Sequence, residues 1–200
     1  MKALTLDDLL PLEEYAGRRR EFFEAHGRYL DRYRRIRVGP RATLLFENRQ
    51  TLWFRVHEII RIARLADAAR LQQELDLYNL LLPGPDTLQA AFLLDVADEA
   101  NLIQELAPWR TFDGSQLRLH LGRETVPAAL VTDRPEDLCV GAAHWVQLPL
   151  GPGARQRLAN FREPAYFELD MPDYRHQSAP LGDDIRQSLL EDLQISDREE

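Results

Sequence analysis

Residues 43–60 read TLLFENRQTLWFRVHEII, and they carry the chain from a buried strand into an amphipathic helix. The apolar run at 42–46 is typical of a strand covered on both faces. Apolar side chains then recur at helical spacing from residue 50 to residue 65, which predicts a helix. The junction carries a carboxylate, an amide and a guanidinium, from Glu47, Asn48 and Arg49. Asparagine is a good N-cap and a carboxylate suits the positive end of a helix, so the triplet predicts at least a cap.

Two further helices are expected in the first half of the chain. Apolar and aromatic side chains at helical spacing predict one helix at 12–36, which Gly39 and Pro40 end. Another helix is predicted at 68–82, where the turn sequence PGPD at 83–86 stops it.

The second half of the chain changes to strand-like patterns. Strands are predicted at 88–96, 116–121, 125–131, 140–148 and 165–170. Short helices are predicted at 97–107, 152–161 and 185–193. Gly122 and Arg123 are expected to form the turn of a hairpin. The order of elements predicts an α+β fold in which N-terminal helices pack on a mostly antiparallel sheet.

The length and composition suit a single domain, since 200 residues of which 44% are hydrophobic can bury a sizeable core. We expect an N-terminal segment (1–11) and a mainly helical half with one strand (12–86). A mainly β half (87–180) follows, and then a C-terminal helix with an acidic tail (181–200).

Charge is unevenly distributed along the chain. The net charge of -8 argues against a nucleic-acid partner, because phosphate binding favours a basic surface. Arginines nevertheless dominate 17–41, and acidic residues dominate 181–200. One interpretation is a solvated helix face and a frayed terminus. The other is that the basic helix docks an acidic partner, either a separate protein or this chain's own tail, through five arginines. These are Arg18, Arg19, Arg28, Arg32 and Arg35.

Several function classes lack their sequence signals. The single cysteine, Cys139, rules out an internal disulfide framework and is expected to be a buried, inert thiol. No apolar run approaches membrane-spanning length, so we expect a soluble, cytoplasmic protein without a membrane partner. His57-Glu58-Ile59-Ile60-Arg61 begins like the zinc motif HExxH but has arginine where the second histidine is needed. We therefore predict no metal and no cofactor, although a metal site assembled from distant residues stays open.

The polar residues of the first helices are the strongest candidates for a site. Arg55, Glu58 and Arg61 repeat at intervals of three and form a charged ridge beside the apolar stripe. Glu74 and Tyr78 make a second polar pair on the next helix. If the two helices form a hairpin, Glu58, Arg61, Glu74 and Tyr78 are expected to converge near Glu47 and Arg49. Such a cluster either holds the fold together or binds an anionic group.

These motifs resemble a bacterial family catalogued only as a domain of unknown function. The similarity covers roughly residues 5–193 and rests on TLLFENRQT, on Glu58 and on ELDLYNLLLPGPDTL. The matching positions are Phe46, Glu47, Asn48, Arg49, Thr51, Glu58, Arg61, Glu74, Leu75, Tyr78, Asn79, Pro83 and Gly84. The chain departs from the family pattern at Arg55, His57, Ala91 and Asp95, and it has Met171-Pro172-Asp173-Tyr174 where a His-Pro-x-Tyr element is expected.

The resemblance implies a cellular context. Members of this family are often encoded beside a rubrerythrin-like di-iron protein and an iron–sulfur protein similar to heterodisulfide-reductase or glycerol-3-phosphate-dehydrogenase subunits. One hypothesis is therefore a non-catalytic accessory protein of a redox or peroxide-defence system, which docks those proteins through its basic helix. The alternative is a ligand-binding protein or enzyme with an Arg/Glu pocket for an anionic molecule, which Arg49 and Arg61 clamp. The ligand-binding residues are then Glu47, Asn48, Arg49, Glu58, Arg61, Glu74, Tyr78 and Asn79. In that case Glu58 acts as a base if burial raises its pKa.

Overall fold

The computed structural model describes residues 1–84, 86–131 and 141–194, and Cys139 lies outside them. The α-helices there are Leu12–Tyr29 (α1), Arg49–Ala63 (α2), Ala68–Asn79 (α3), Leu102–Leu106 (α4), Pro152–Leu158 (α5) and Asp183–Gln194 (α6). The strands are Arg35–Val38 (β1), Ala42–Phe46 (β2), Thr87–Leu94 (β3), Leu117–Leu121 (β4), Glu124–Pro127 (β5), Ala129–Val131 (β6), Ala143–Pro149 (β7), Ala165–Met171 (β8) and Tyr174–Gln177 (β9). A π-helical turn, Leu30–Arg34, follows α1, and 3-10 turns occupy Leu6–Asp8, Glu99–Asn101 and Ala107–Thr111.

The strands form two antiparallel sheets, with orders β1-β2-β3-β7-β6 and β5-β4-β8-β9. Their facing sides share the main hydrophobic core. Phe46 and Phe92 reach it from the first sheet, and Leu119 and Phe167 from the second. The Phe46 and Phe167 rings lie 5.7 Å apart. The predicted α+β class is confirmed, although two sheets stand where one was expected.

Helices α2 and α3 form a hydrophobic core of their own, whereas α5 contacts β4 and β5 of the second sheet. Leu52, Val56 and Ile60 of α2 pack with Leu75 of α3 and with Leu4 of the N-terminal segment. This second core fixes residues 1–11 against the helical hairpin. Helix α6 instead packs into the main core, through Leu189, Leu190 and Leu193. The N-terminal and C-terminal segments therefore approach the same end of α2.

The prediction of a helix at 12–36 is wrong at its C-terminal end. The helical conformation stops with the π-helical turn at Arg34, and residues 35–38 form an edge strand. The mainly helical half accordingly contains two strands, not one. Ile36 and Val38 are buried while Arg37 between them is exposed, which is the two-residue period of a strand. Gly39, at φ +72°, turns this strand back onto β2.

The predicted strand at 125–131 is also wrong, because the chain changes sheets within it. Residues before Pro127 pair with β4, and residues after Ala128 pair with β7. Sequence periodicity missed β9 altogether. The hairpin at Gly122 is confirmed, as is the strand at 42–46.

Candidate functional site

Asn48 caps α2, as the sequence predicted. Its Oδ1 accepts hydrogen bonds from the backbone N–H groups of Gln50 and Thr51, both at 3.0 Å. The Thr51 hydroxyl accepts the Asn48 backbone N–H at 2.9 Å, which closes a capping box. The triplet of Glu47, Asn48 and Arg49 therefore contains the N-cap of α2.

The Asn48 amide also connects the cap to a buried ion pair. Its Nδ2 donates to the Tyr29 hydroxyl at 2.8 Å, and the same oxygen accepts Arg34 Nε at 3.1 Å. Arg34 pairs with Asp192 of α6, and both side chains are almost fully buried. The cap, the end of α1 and the C-terminal helix are therefore one polar network.

Glu47 is buried at 2% exposure, directly beside this network. Its carboxylate accepts Arg55 at 2.7 Å and the Thr51 hydroxyl. Burial raises the pKa of Glu47, and the favourable contacts with Arg55 and Thr51 only partly oppose that effect. Neighbouring Gln89 is buried as well, and its Nε2 has no partner among the described residues.

Glu58 lies at a different place from Glu47. Its carboxylate accepts a hydrogen bond from the Tyr15 hydroxyl at 3.0 Å. It also accepts hydrogen bonds from the guanidinium groups of Arg19 and Arg61, whose Nη2 atoms lie at 2.9 and 3.1 Å. Burial opposes ionisation, but these three donors outweigh it and lower the pKa of Glu58 to about 2. The hypothesis that burial raises this pKa is therefore wrong, and Glu58 is ionised at neutral pH.

The structure divides the predicted cluster instead of gathering it. Tyr78 lies near Arg55, Glu74 and Glu47, and their charges perturb its pKa, which burial raises. Glu58 and Arg61 instead face α1 through Arg19 and Tyr15. Asn79 instead binds the N-terminal segment. Its side-chain amide accepts a hydrogen bond from the Leu4 N–H at 2.8 Å and donates one to the Leu4 carbonyl at 2.9 Å.

Arg49 turns toward the N-terminal segment. Its guanidinium pairs with Asp8 at 2.6 Å, and the Trp53 indole donates to the Asp8 carbonyl at 2.8 Å. His57 fixes the same segment, because its Nε2 accepts the Leu10 N–H at 3.0 Å while Nδ1 donates to the Trp53 carbonyl at 2.7 Å. Residues 1–11 thus form a wall over the start of α2.

A cavity of about 710 Å³ opens between this wall, the cap and α6. It is lined by Met1, Lys2, Asp8, Asn48, Arg49, Gln50, Trp53 and Asp192. We call it the Arg49 cavity. Arg49 Nε is buried and has no acceptor among the residues that the structure describes.

A second cavity, of about 390 Å³, also has Gln50 in its lining. It is lined by Tyr29, Tyr33, Gln50, Asp184, Gln187, Ser188 and Glu191. We call it the tyrosine cavity. Gln50 lines both cavities, so they adjoin at this residue.

Most of the predicted docking arginines have acidic partners within the chain. Arg18 pairs with Glu21 at 3.1 Å, and Arg19 pairs with Glu58. Arg32 pairs with Asp184 of the acidic C-terminal segment at 2.8 Å, and Arg35 pairs with Asp31. Arg28 is exposed. The charge of this helix is thus largely compensated by this chain's own carboxylates.

Sequence reasoning missed the residues that come to the site from far along the chain. Lys2, Tyr29 and Asp192 carry no local motif, and Asp8 belongs only to a capping box with Thr5. The tertiary fold alone brings these residues to the start of α2. The one usable signal was the acidic character of 181–200, which suggested contact with the arginine-rich helix.

The geometry of the described residues supports neither a metal site nor a membrane-spanning helix. Within 1–84, 86–131 and 141–194, no three histidine, cysteine, aspartate or glutamate side chains are grouped closely enough to hold a metal ion. In the same part of the chain, no helix has both the length and the apolar character that a membrane crossing requires.

Comparison with known proteins assigns the chain to a family. Residues 3–193 match the model of DUF3501, a protein family of unknown function, and the chain belongs to that family. A similar solved structure is that of a novel protein of unknown function from Burkholderia pseudomallei K96243. It is 29% identical, covers 96% of this chain and 100% of its own, and superposes with a TM-score of 0.86. No curated protein matches the chain.

Proposed function

We propose that this protein binds a small anionic molecule in the Arg49 cavity. The observation that carries the proposal is the buried Nε–H of Arg49, which lacks an acceptor among the described residues. A buried donor without a partner is costly, and a small rotation of the Arg49 side chain, which is 34% exposed, would bring this donor to an anion in the adjoining cavity. Arginine also suits carboxylate and phosphate groups, because it donates two parallel hydrogen bonds.

The charge of the cavity supports an anion. Both carboxylates in its wall are already paired, Asp8 with Arg49 and Asp192 with Arg34. Lys2 adds a further cation to the lining. The lining side chains carry two positive and two negative charges, and Lys2 is the cation that remains once Arg49 and Arg34 have paired with the two carboxylates.

Side chains, and not the start of α2, must provide the recognition. The backbone N–H groups of Gln50 and Thr51 already donate to Asn48, and that of Arg49 donates to the Met1 sulfur at 3.2 Å. The helix N-terminus therefore contributes its dipole but no free donor at these positions. Trp53 supplies an apolar wall, and apolar walls with a few convergent polar groups are typical of small-molecule sites.

The accessory role beside rubrerythrin-like di-iron and iron–sulfur proteins remains a proposal from the resemblance. The internal pairing of Arg18, Arg19, Arg32 and Arg35 weighs against a docking face that relies on these charges. A ligand-binding module and an accessory subunit are compatible, since binding in the Arg49 cavity leaves the outer face of α1 free.

The test is calorimetric titration with inorganic phosphate and with citrate at low ionic strength. We expect at least one anion to bind, and Arg49→Gln to weaken it at least about tenfold, which corresponds to about 1.4 kcal/mol. Lys2→Gln should weaken binding by a smaller factor without a change in melting temperature, because Lys2 is exposed and contributes only a screened charge.

A matched control separates binding from folding. Arg70→Gln removes an exposed arginine of α3, outside the cavity, and should leave the affinity unchanged. Arg49→Lys keeps the charge but not the fork, and it should retain part of the affinity. Equal anion affinity in the parent and in Arg49→Gln would overturn the proposal, as would the absence of binding to every anion tested.

A further inference from the structure

The tyrosine cavity offers hydrogen-bond donors that the described residues leave unused. The Tyr29 hydroxyl accepts two hydrogen bonds, from Asn48 and from Arg34, so its own hydrogen remains available. No acceptor for that hydrogen lies among the described residues. The Tyr33 hydroxyl likewise makes no hydrogen bond within the described chain. Both residues line the cavity, so two phenolic donors are available to a bound molecule.

The same cavity offers carboxylate acceptors, of which Asp184 has a cationic partner. Asp184 pairs with Arg32 at 2.8 Å, and Glu191 accepts Gln187 Nε2 at 3.1 Å. Both carboxylates keep lone pairs for further hydrogen bonds. The ion pair reduces the attraction of Asp184 for an additional cation, whereas Glu191 keeps its charge because Gln187 is neutral. The lining therefore suits groups that donate and accept at once, and hydroxyl groups do both.

The two cavities together have a polarity that matches one ligand class. The Arg49 cavity has Lys2 and an unsatisfied arginine donor, while the tyrosine cavity combines phenolic donors with carboxylate acceptors. Both cavities are lined by Gln50, whose side-chain amide can form hydrogen bonds with either part of a molecule that occupies both. We infer that the ligand is a phosphorylated polyol or sugar, with its phosphate at Arg49 and Lys2 and its hydroxyl groups at Tyr29, Tyr33 and Glu191.

This inference rests on the proposed anion site and deepens it. A phosphate alone fills only part of the space, since the first cavity has a volume of about 710 Å³ and the second adds about 390 Å³. Hydroxyl groups at the tyrosine cavity should therefore add affinity to that of the phosphate. Binding there should also be specific, because a site built for hydroxyl groups leaves its own polar groups unpaired when they are missing.

The experiment compares inorganic phosphate, ribose and ribose 5-phosphate by calorimetric titration. We expect ribose 5-phosphate to bind at least about tenfold more tightly than phosphate, because it makes several additional hydrogen bonds. Tyr33→Phe and Glu191→Gln should each weaken ribose 5-phosphate about threefold to tenfold and leave the affinity for phosphate unchanged. Tyr166→Phe, in the other sheet, is the matched control and should change neither affinity.

The outcomes separate this inference from the proposed function. If phosphate binds through Arg49 but ribose 5-phosphate binds no more tightly, the polyol inference fails and the anion site stands. Insensitivity of ribose 5-phosphate to both Tyr33→Phe and Glu191→Gln also overturns the inference. Tighter binding of the zwitterion 6-aminohexanoate than of ribose 5-phosphate would assign the tyrosine cavity to an amine instead. If no anion binds at all, both proposals fail.

Discussion

Arg34 and Asp192 form a buried ion pair although 158 residues separate them. Their side chains are 2% and 4% exposed, and Tyr29 and Asn48 complete the hydrogen bonds of the pair. The contact joins the end of α1 to α6 beneath the cap of α2. Because one wall of the Arg49 cavity is Asp192, the pair supports the candidate site as well as the fold.

The first prediction is that breaking this pair is costly. Arg34→Met leaves the carboxylate of Asp192 buried without its cation, and we expect the free energy of unfolding to fall by about 3–5 kcal/mol. Urea denaturation followed by circular dichroism measures the loss. The double variant Arg34→Met/Asp192→Leu removes both charges and should recover most of the stability.

The control for this prediction is the exposed pair of Arg20 and Glu24, whose side chains are 92% and 49% exposed. Glu24→Gln should cost at most about 0.5 kcal/mol, because solvent screens the pair. A loss of less than about 1 kcal/mol in Arg34→Met would show that the ion pair does not hold the two segments together.

The second prediction concerns Glu58, whose role we infer to be structural. Glu58→Gln leaves Arg19, Arg61 and Tyr15 without their shared acceptor charge, and it should lower stability at neutral pH by about 1–3 kcal/mol. Anion binding in the Arg49 cavity should not change. Measurement of both quantities in one variant decides the role, and lost anion affinity with full stability would contradict it.

The pH dependence of Glu58 has a definite sign. Its pKa is about 2 in the folded protein against 4.5 ordinarily, so its stabilisation is present above pH 4.5 and is lost as the pH falls toward 2. The parent should therefore lose more stability over this interval than Glu58→Gln does. Glu21→Gln, at an exposed residue paired with Arg18, is the control for a general change of charge.

The third prediction concerns His26, which stacks on Phe54 with the ring centroids 4.0 Å apart. Burial lowers the pKa of His26 to about 4, and the charges of Arg55 and Arg35 act in the same direction. The unfolded chain binds the proton more readily, so stability is complete above about pH 6.5 and falls as the pH drops toward 4. Thermal melts should show a shallower acid decline for His26→Phe, which keeps the stacking. Parallel declines would disprove this assignment.

Local sequence predicted the parts of the fold that depend on neighbouring residues. Asn48 caps a helix by accepting hydrogen bonds from backbone N–H groups two and three residues away, so its role can be predicted from the local sequence. The secondary structure of residues 30–38 was harder to predict. Tyrosine and isoleucine recur there at helical spacing, but the same residues also show the alternating polar and apolar pattern of an edge strand. Pairing with β2 decides in favour of the strand, and that pairing depends on tertiary structure.

The candidate site was predictable only at its centre. The sequence identified Glu47, Asn48 and Arg49, but the expected convergence of Glu58 and Arg61 with them fails because α2 presents these residues to α1. Periodicity defines the face of a helix and not its partner. The residues that complete the cavities come from both ends of the chain, beyond the range of any local pattern.

The last prediction concerns Arg186, a buried arginine that binds backbone carbonyls. Its guanidinium donates to the carbonyls of Arg157, Leu158, Asn160 and Glu163, at 2.6–3.0 Å. Lysine cannot reproduce this planar fork, so Arg186→Lys should lower the free energy of unfolding by about 2–4 kcal/mol in urea denaturation. Arg175→Lys, at an exposed arginine, should cost under about 0.5 kcal/mol. Equal stability of the two variants would mean that charge, and not the fork, satisfies these carbonyls.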